Sequence, residues 1–331
     1  MSISRCTQNA TFMEEWRKGW HPEKFDSKGE SESVLVVGSG PAGLEAARVL
    51  GERGYQVAIA ESKNELGGRV ALERKLPGLS AWGRVADYRQ YQISQMANIE
   101  TYLDSELSAD QILEFGFEHV ALATGACWRS DGVSRYHVTP MTFEGDLPIY
   151  TPDDLMGGQQ LSGNVVLFDD DHYYMGGVLA ELIVGQGANV TLVTPSAYVS
   201  EWTNNTLEQA TIHQRLCHLN VAIELNQAVT KVIKNGVELA CTYTDSRREL
   251  QADAVVLVTS QVSNNSVWLE LKEKSDQWAE HGIKSIKPIG DADAPAPIAW
   301  ATYAGHRYAR EMDNHIELDA LPFKREVINP G

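Results

Sequence analysis

Three glycines in Gly38-Ser-Gly40-Pro41-Ala42-Gly43 have the type and spacing needed to seat a pyrophosphate. Gly38 permits a tight turn, Gly40 lets bare backbone amides approach a phosphate, and Gly43 lets a helix pack closely on a strand. A helix starting here presents unpaired N–H groups and the positive end of its dipole to the anion. Glu61, 18 residues beyond Gly43, can accept a hydrogen bond from a ribose 2′-hydroxyl and would repel a 2′-phosphate. Gly68 and Arg69 add a second glycine turn with a cation beside the nucleotide. These residues form a dinucleotide-binding fingerprint if a strand precedes the loop and a helix follows it.

The flanking sequence supplies that context. Val34-Leu-Val-Val37 predicts a buried strand over 33–37, and Val57-Ala-Ile-Ala60 predicts another over 57–60, with a helix to Arg53 between them. A helix is expected over 83–97, and a strand over 118–123 running into Thr124-Gly125. The chain loosens over 130–163, where Gly and Pro recur. A new unit begins at Asn164-Val-Val-Leu-Phe168, with a helix near 174–186 and a strand over 189–194. Strands near 221–224, 229–233, 237–243 and 254–259 follow, then Gly290-Asp291 and an alanine-rich helix from Ile298 to Met312. The two strand–turn–helix openings, about 130 residues apart, predict an α/β fold with a duplicated Rossmann-like nucleotide domain.

The second opening looks disabled. Asp169, Asp171 and Tyr174 stand where three glycines belong, and Asp170 adds another carboxylate. Unit charges 4 Å apart at an effective dielectric of ~20 repel by ~4 kcal/mol, so a dinucleotide pyrophosphate is poorly accommodated. The next strand ends Thr194-Pro-Ser-Ala, without a cation for a 2′-phosphate. NAD(P)H is therefore not expected to bind here. The acids could serve acid–base chemistry or a cation, but a solvated, helix-capping turn is the simpler expectation. His172 and His218 read as surface or structural residues, and Trp82, Trp128, Trp202 and Trp300 as packing.

A chain of 331 residues suits about two domains. A net charge of −17 argues against nucleic acid or an anionic membrane as partner. No apolar run reaches the ~18–20 residues of a membrane span. Cys6, Cys127, Cys217 and Cys241 are scattered without a CxxC pair, and the amino terminus lacks an apolar signal core, so a reducing cytoplasm is expected. Residues 1–32, polar apart from Phe12, Trp16 and Trp20, read as a docking arm.

The glycine loop with Glu61, Leu66-Gly67-Gly68, Ala123-Thr124-Gly125 and Gly290-Asp291 resemble the two-dinucleotide-binding-domain flavoproteins of glutathione-reductase-like fold. Cys6-Thr-Gln-Asn-Ala-Thr, Arg17-Lys-Gly-Trp20-His-Pro-Glu23 and Leu76-Pro-Gly-Leu79 narrow the likeness to the carboxy-terminal half of the trimethylamine dehydrogenase, histamine dehydrogenase and dimethylglycine demethylase family. Asp169-Asp-Asp-His-Tyr-Tyr-Met-Gly-Gly177 and Trp202-Thr-Asn-Asn-Thr206 look especially like histamine dehydrogenase. The resemblance implies an FAD/ADP-binding domain over 33–150 plus 281–331, interrupted by an NAD(P)-like domain over 151–280 with a degenerate loop. It implies ADP or FAD on Gly38, Gly40, Pro41, Ala42, Gly43, Glu61, Gly68, Arg69, Thr124, Gly125, Gly290 and Asp291, with no catalytic residue in this chain. The family's flavin-bearing barrel and its CxxCxxxC run are not found here, whereas Cys6 matches the fourth ligand of the 4Fe–4S cluster. One thiolate cannot hold four irons. Cys6 is thus a ligand completed by another polypeptide or parent segment, or a remnant. The expected function is the nucleotide-binding module of an amine-oxidising electron-transfer oxidoreductase, with a barrel subunit and an electron-transfer flavoprotein as partners. The alternatives are a free-standing FAD-dependent NAD(P)H oxidoreductase and a non-catalytic nucleotide-binding scaffold.

Overall fold

A computed structural model describes residues 4–17, 20–22, 24–244 and 246–313. The expectations on Lys18, Gly19, Glu23 and the segment 314–331 lie outside the described residues. The chain divides into two compact units, one built from residues up to 71, 82–126 and from 263 on, the other from 72–81 and 127–262.

The first unit is built on a five-stranded parallel sheet in the order Ser285–Pro288, His119–Leu122, Ser33–Val37, Gln56–Ala60, Ile99–Tyr102. The Ser33–Val37 strand is central because Val34, Leu35, Val36 and Val37 are all buried, leaving it two faces to cover. Val37 is in register with Ala60 on one side and Leu122 on the other, so three strands end level at the glycine loop. The helix Pro41–Arg53 starts on a proline, whose missing N–H costs nothing at a first helical position. It stops at Gly54, where φ is +98° and the cap N–H bonds Leu50 and Gly51 carbonyls. Its Leu44, Ala46, Ala47, Val49 and Leu50 share a core with Tyr308, Ala309 and Met312 around the helix Ile298–Glu311. A fully buried Leu or Val contributes roughly 1.5–3 kcal/mol. The helices touch backbone to backbone: a Cβ on Gly305 would fall 2.0 Å from the Ala42 carbonyl oxygen.

The arm lies on its own unit. Arg17 pairs with Glu311 at 3.1 Å and reaches the Tyr303 hydroxyl at 3.3 Å, while Arg5 stacks over the Tyr303 ring at 3.8 Å. Arg89 donates to the Thr7 and Gln8 carbonyls, both at 3.3 Å, and to Glu45 at 2.7 Å. Glu45 also holds Arg48 at 2.7 Å and His306 at 2.8 Å, a buried charge cluster beneath the arm.

The second unit has a five-stranded parallel sheet in the order Ala222–Leu225, Asn189–Thr194, Asn164–Asp169, Ala254–Val258, Ile149–Tyr150, and a four-stranded sheet Arg247–Gln251, Gly236–Cys241, Gln227–Ile233, Thr142–Phe143. Residues 127–150, expected with the first domain, pack in this unit because Thr142–Phe143 and Ile149–Tyr150 complete the edges of its two sheets. Residues 263–280, expected here, pack instead in the first unit, where Leu271, Val267 and Trp268 join Ile112 and Leu113.

Candidate functional site

At the end of the central strand the chain turns through Gly38, whose φ is +98° and whose Cβ would meet the Ala123 carbonyl oxygen at 2.4 Å. A Cβ on Gly43 would meet the Gly38 carbonyl oxygen at 2.0 Å, so the first and third glycines are required by close packing. Gly40 differs. It is the helix N-cap with φ −66°, has no side-chain capping bond, and a Cβ there would meet nothing within 4 Å. The helix start is therefore bare and faces open space, as an anion site requires.

Three further segments reach the same loop. A Cβ on Gly68 would come within 2.8 Å of the Gly40 Cα, and Gly67 donates its N–H to the Ser39 carbonyl at 3.0 Å. Ala123 donates to the Val37 carbonyl at 2.7 Å and leads into Thr124 and Gly125. Gly290, with φ +61°, abuts Ala42, its Cβ position lying 2.6 Å from the Ala42 methyl. The expected residues, drawn from across 250 positions, thus meet around one helix start. Asn264 was not foreseen: its N–H bonds the Gly125 carbonyl at 2.9 Å and its carbonyl accepts the Thr124 hydroxyl at 2.6 Å.

Arg69 is tied into this frame, donating to the Ala126 carbonyl and standing 4.0 Å from the Asp291 carboxylate. Burial raises the Asp291 pKa, and Arg69 works against that shift. Glu61 is 5% exposed and already bonded within the chain, accepting from Ser39 N at 2.9 Å, Ser39 Oγ at 2.5 Å, Lys63 N at 3.0 Å and Ser62 Oγ at 3.2 Å.

The acidic loop of the second unit is not the solvated, helix-capping turn expected. Asp169 and Asp170 are buried, and the helix Met175–Gly185 is entered through Tyr174 without a side-chain cap. The acids bond inward instead: Asp169 accepts from His172 N at 3.1 Å, and Asp170 holds His172 Nε2 at 2.9 Å and Tyr136 N at 2.7 Å. Burial, with Asp171 adding, pushes the Asp169 pKa up to about 7. His172 works against the burial of Asp170 and holds its carboxyl below the ordinary range, which lets that carboxylate leave water. His218 is exposed on the last turn of its helix. Trp128 is buried as packing predicts, but Trp202 and Trp300 are substantially exposed, stacked under Arg135 at 5.1 Å and Arg5 at 4.9 Å.

Cys6 is half-buried and accepts the Asn9 N–H at 3.4 Å. Among the described residues no three His, Cys, Asp or Glu side chains are grouped to hold a metal. The described residues therefore do not by themselves fit a 4Fe–4S cluster, which needs about four ligands. No described helix is long and apolar enough to cross a membrane.

Parallel sheets and a bare glycine loop at a helix start define the class, an α/β protein with a Rossmann-like unit. Residues 36–104 match the family model of an NAD(P)-binding Rossmann-like domain, and residues 150–272 that of an OYE-like second alpha/beta domain. The relatives include oxidoreductases of amines. Over 97% of its length the chain is 35% identical to dimethylamine dehydrogenase of Hyphomicrobium sp. (strain x), covering 47% of that protein. The structure of histamine dehydrogenase from Rhizobium sp. 4-9 superposes with a TM-score of 0.95 at 61% identity, covering 98% of this chain and 51% of that one. The 6-hydroxypseudooxynicotine amine oxidase from Pseudomonas geniculata N1 gives 0.90 at 42% identity, covering 95% and 47%. The chain is thus homologous to amine dehydrogenases and spans about half the length of the relatives it matches.

Proposed function

We propose that this chain is an adenine-nucleotide-binding module of an amine-oxidising, electron-transferring oxidoreductase. The observation that carries the reading is the bare helix start at Gly40, open in front and bracketed by Gly67-Gly68, Ala123–Gly125 and Gly290-Asp291. The amides after Gly40 would take the pyrophosphate, Glu61 the ribose, and Arg69 with Asp291 the far side of the phosphates. The resemblance to the amine dehydrogenases favours ADP as ligand. Gly290-Asp291, where FAD enzymes meet the ribityl–pyrophosphate, keeps FAD as the second reading. ADP would be structural, whereas FAD would supply redox chemistry.

The two units correspond in this reading to the two nucleotide domains of a glutathione-reductase-like protein, the second inserted into the first. The internally bonded acids at 169–171 support the absence of NAD(P)H from the second, and with it argue against a free-standing NAD(P)H oxidoreductase. Amine oxidation itself belongs to a flavin-bearing barrel on another polypeptide or parent segment, with an electron-transfer flavoprotein as acceptor.

Denaturing the purified chain and identifying the released nucleotide by mass spectrometry tests this directly, and absorbance near ~450 nm separates FAD from colourless ADP. Gly40→Asp is the matching variant. Its φ suits any residue and its Cβ meets nothing, so the variant is expected to fold yet release no nucleotide. Full nucleotide content in folded Gly40→Asp would overturn the site. Calorimetric titration of NADH is expected to show no binding to the second unit, and a micromolar dissociation constant there would overturn that part.

A further inference from the structure

We propose that the cavity between the arm and the helices Pro41–Arg53 and Arg84–Ser94 binds a small organic carboxylate, held by Arg48 with Arg84 at the rim. The cavity lies within the first unit and has a volume of about 650 Å³. None of its lining residues belongs to the segments that meet at Gly40, so it is separate from the phosphate cradle. Its wall mixes the charges of Glu45, Arg48, Arg84 and Asp87 with apolar surface from Ala10, Pro22 and Tyr88.

The buried charge there is not balanced. An ionised carboxylate offers about four lone-pair positions, and those of Glu45 are all taken. Oε1 accepts from Arg48 Nη2 at 2.7 Å and His306 Nδ1 at 2.8 Å, and Oε2 from Arg48 Nε at 3.2 Å and Arg89 Nε at 2.7 Å. Arg310 donates to His306 Nε2 at 3.2 Å, so the imidazole keeps its one N–H on Nδ1 and is neutral. One carboxylate therefore faces the two buried guanidiniums of Arg48 and Arg89, and a buried cation without a counter-charge is costly. Arg48 is only 8% exposed and meets Glu45 side-on, through Nε and Nη2. Its other edge, Nη1 with the second Nη2 hydrogen, has no partner among the described residues, and Arg48 lines the cavity. Two parallel N–H groups match the two oxygens of a carboxylate. Arg84 is exposed on the same wall and makes no hydrogen bond or ion pair among the described residues. Asp87 is exposed too, where water and salt screen its repulsion. The cavity is larger than an inorganic ion needs, and its apolar residues suit a hydrocarbon body behind the carboxylate.

The test titrates the purified chain by calorimetry with benzoate and, separately, with inorganic phosphate, each with and without excess ADP. Benzoate is expected to bind saturably, with a dissociation constant of about 1 mM or below, more tightly than phosphate and equally well in the presence of ADP. Arg84→Gln removes an exposed, unpartnered cation, so it should fold as wild type and weaken benzoate about threefold to fivefold. Arg48→Lys keeps the charge but loses the fork, and should weaken benzoate by about tenfold or more. Absence of saturable benzoate binding overturns the proposal. Benzoate binding abolished by ADP would move the site to the helix start at Gly40 and overturn it as well. Tighter binding of phosphate than of benzoate overturns the organic carboxylate. An unchanged benzoate affinity in Arg84→Gln overturns the placement in this cavity, whether or not Arg48→Lys folds.

Discussion

Asp169 sits at the end of a buried strand with Oδ2 in contact with no hydrogen-bond donor and Oδ1 on His172 N at 3.1 Å. A Cβ on Gly176 would strike its carboxyl at 2.5 Å, so the glycine and the acid fit only each other. Because burial lifts its pKa from 3.8 to about 7, the folded protein prefers the neutral acid. The unfolded chain releases the proton near pH 4, the folded one near 7. Stability is therefore whole below about pH 4 and falls as pH rises towards 7, by on the order of 4 kcal/mol for a shift of about three units. Asp169→Asn is expected to melt higher than wild type at pH 8, with the gap closing near pH 4. A difference in melting temperature independent of pH would defeat this account. The sequence displays the acid and its position in the loop. It cannot display that His172 turns inward to Asp170 and draws the neighbouring carboxylates under cover.

The helix Pro41–Arg53 carries two constraints, at Glu45 and at Ala42. Burial alone would raise the Glu45 pKa, but Arg89 and Arg48 hold it far below the ordinary carboxylate range. Its contribution is present above its ordinary pKa of 4.5 and is lost as pH falls below it. Glu45→Ala would leave Arg89 buried without its partner and is expected to destabilise by about 3–5 kcal/mol, read by urea denaturation at pH 7. Gly305→Ala should cost about 1–3 kcal/mol by pushing the closing helix off Ala42, and should lower nucleotide retention because Ala42 moves with it. Much of this was legible. The first strand, helix and second strand fall where apolar runs and Gly54 place them, and the closing helix runs Ile298–Glu311. The helix Ala109–Phe115 was missed although Ser108 and Gln111 form a capping box, because seven residues carry too few apolar repeats. The strand Ile99–Tyr102 was missed because it is an edge strand whose side chains are mostly exposed. Asn264 was invisible because its shortest bonds to Thr124 and Gly125 run through its backbone, 140 residues away.

For the molecule as a whole, the proposed reading makes Cys6 a cluster ligand only when another segment supplies its companions, since no three metal-ligating side chains are grouped among the described residues. Iron analysis of the isolated chain is expected to show no stoichiometric iron, and four irons per chain would overturn the view that Cys6 lacks companions. In the proposed assembly with a flavin-bearing barrel, Cys6→Ser should change the stability or potential of a 4Fe–4S cluster completed there. An untouched cluster there would make Cys6 a remnant. The arm that presents Cys6 is held by Arg89 and, through its own Arg5 and Arg17, by Tyr303 and Glu311 of the closing helix, so its position depends on distant sequence.

The backbone contact between Ala42 and Gly305 also sets an order of events during synthesis. The strand, loop and helix that make the phosphate cradle are complete by residue 53, yet the helix that covers them ends at Glu311, about 260 residues later. At 5–20 residues per second the ribosome leaves that apolar face uncovered for roughly 15–50 s. Through this interval Leu44, Val49 and Leu50 have no partner from the closing helix. Nucleotide captured at the bare helix start would favour the finished form by mass action only once that helix docks. In the proposed reading, loading waits for the helix Ile298–Glu311, and a chain halted before Ile298 is expected to carry the complete glycine motif and retain nothing.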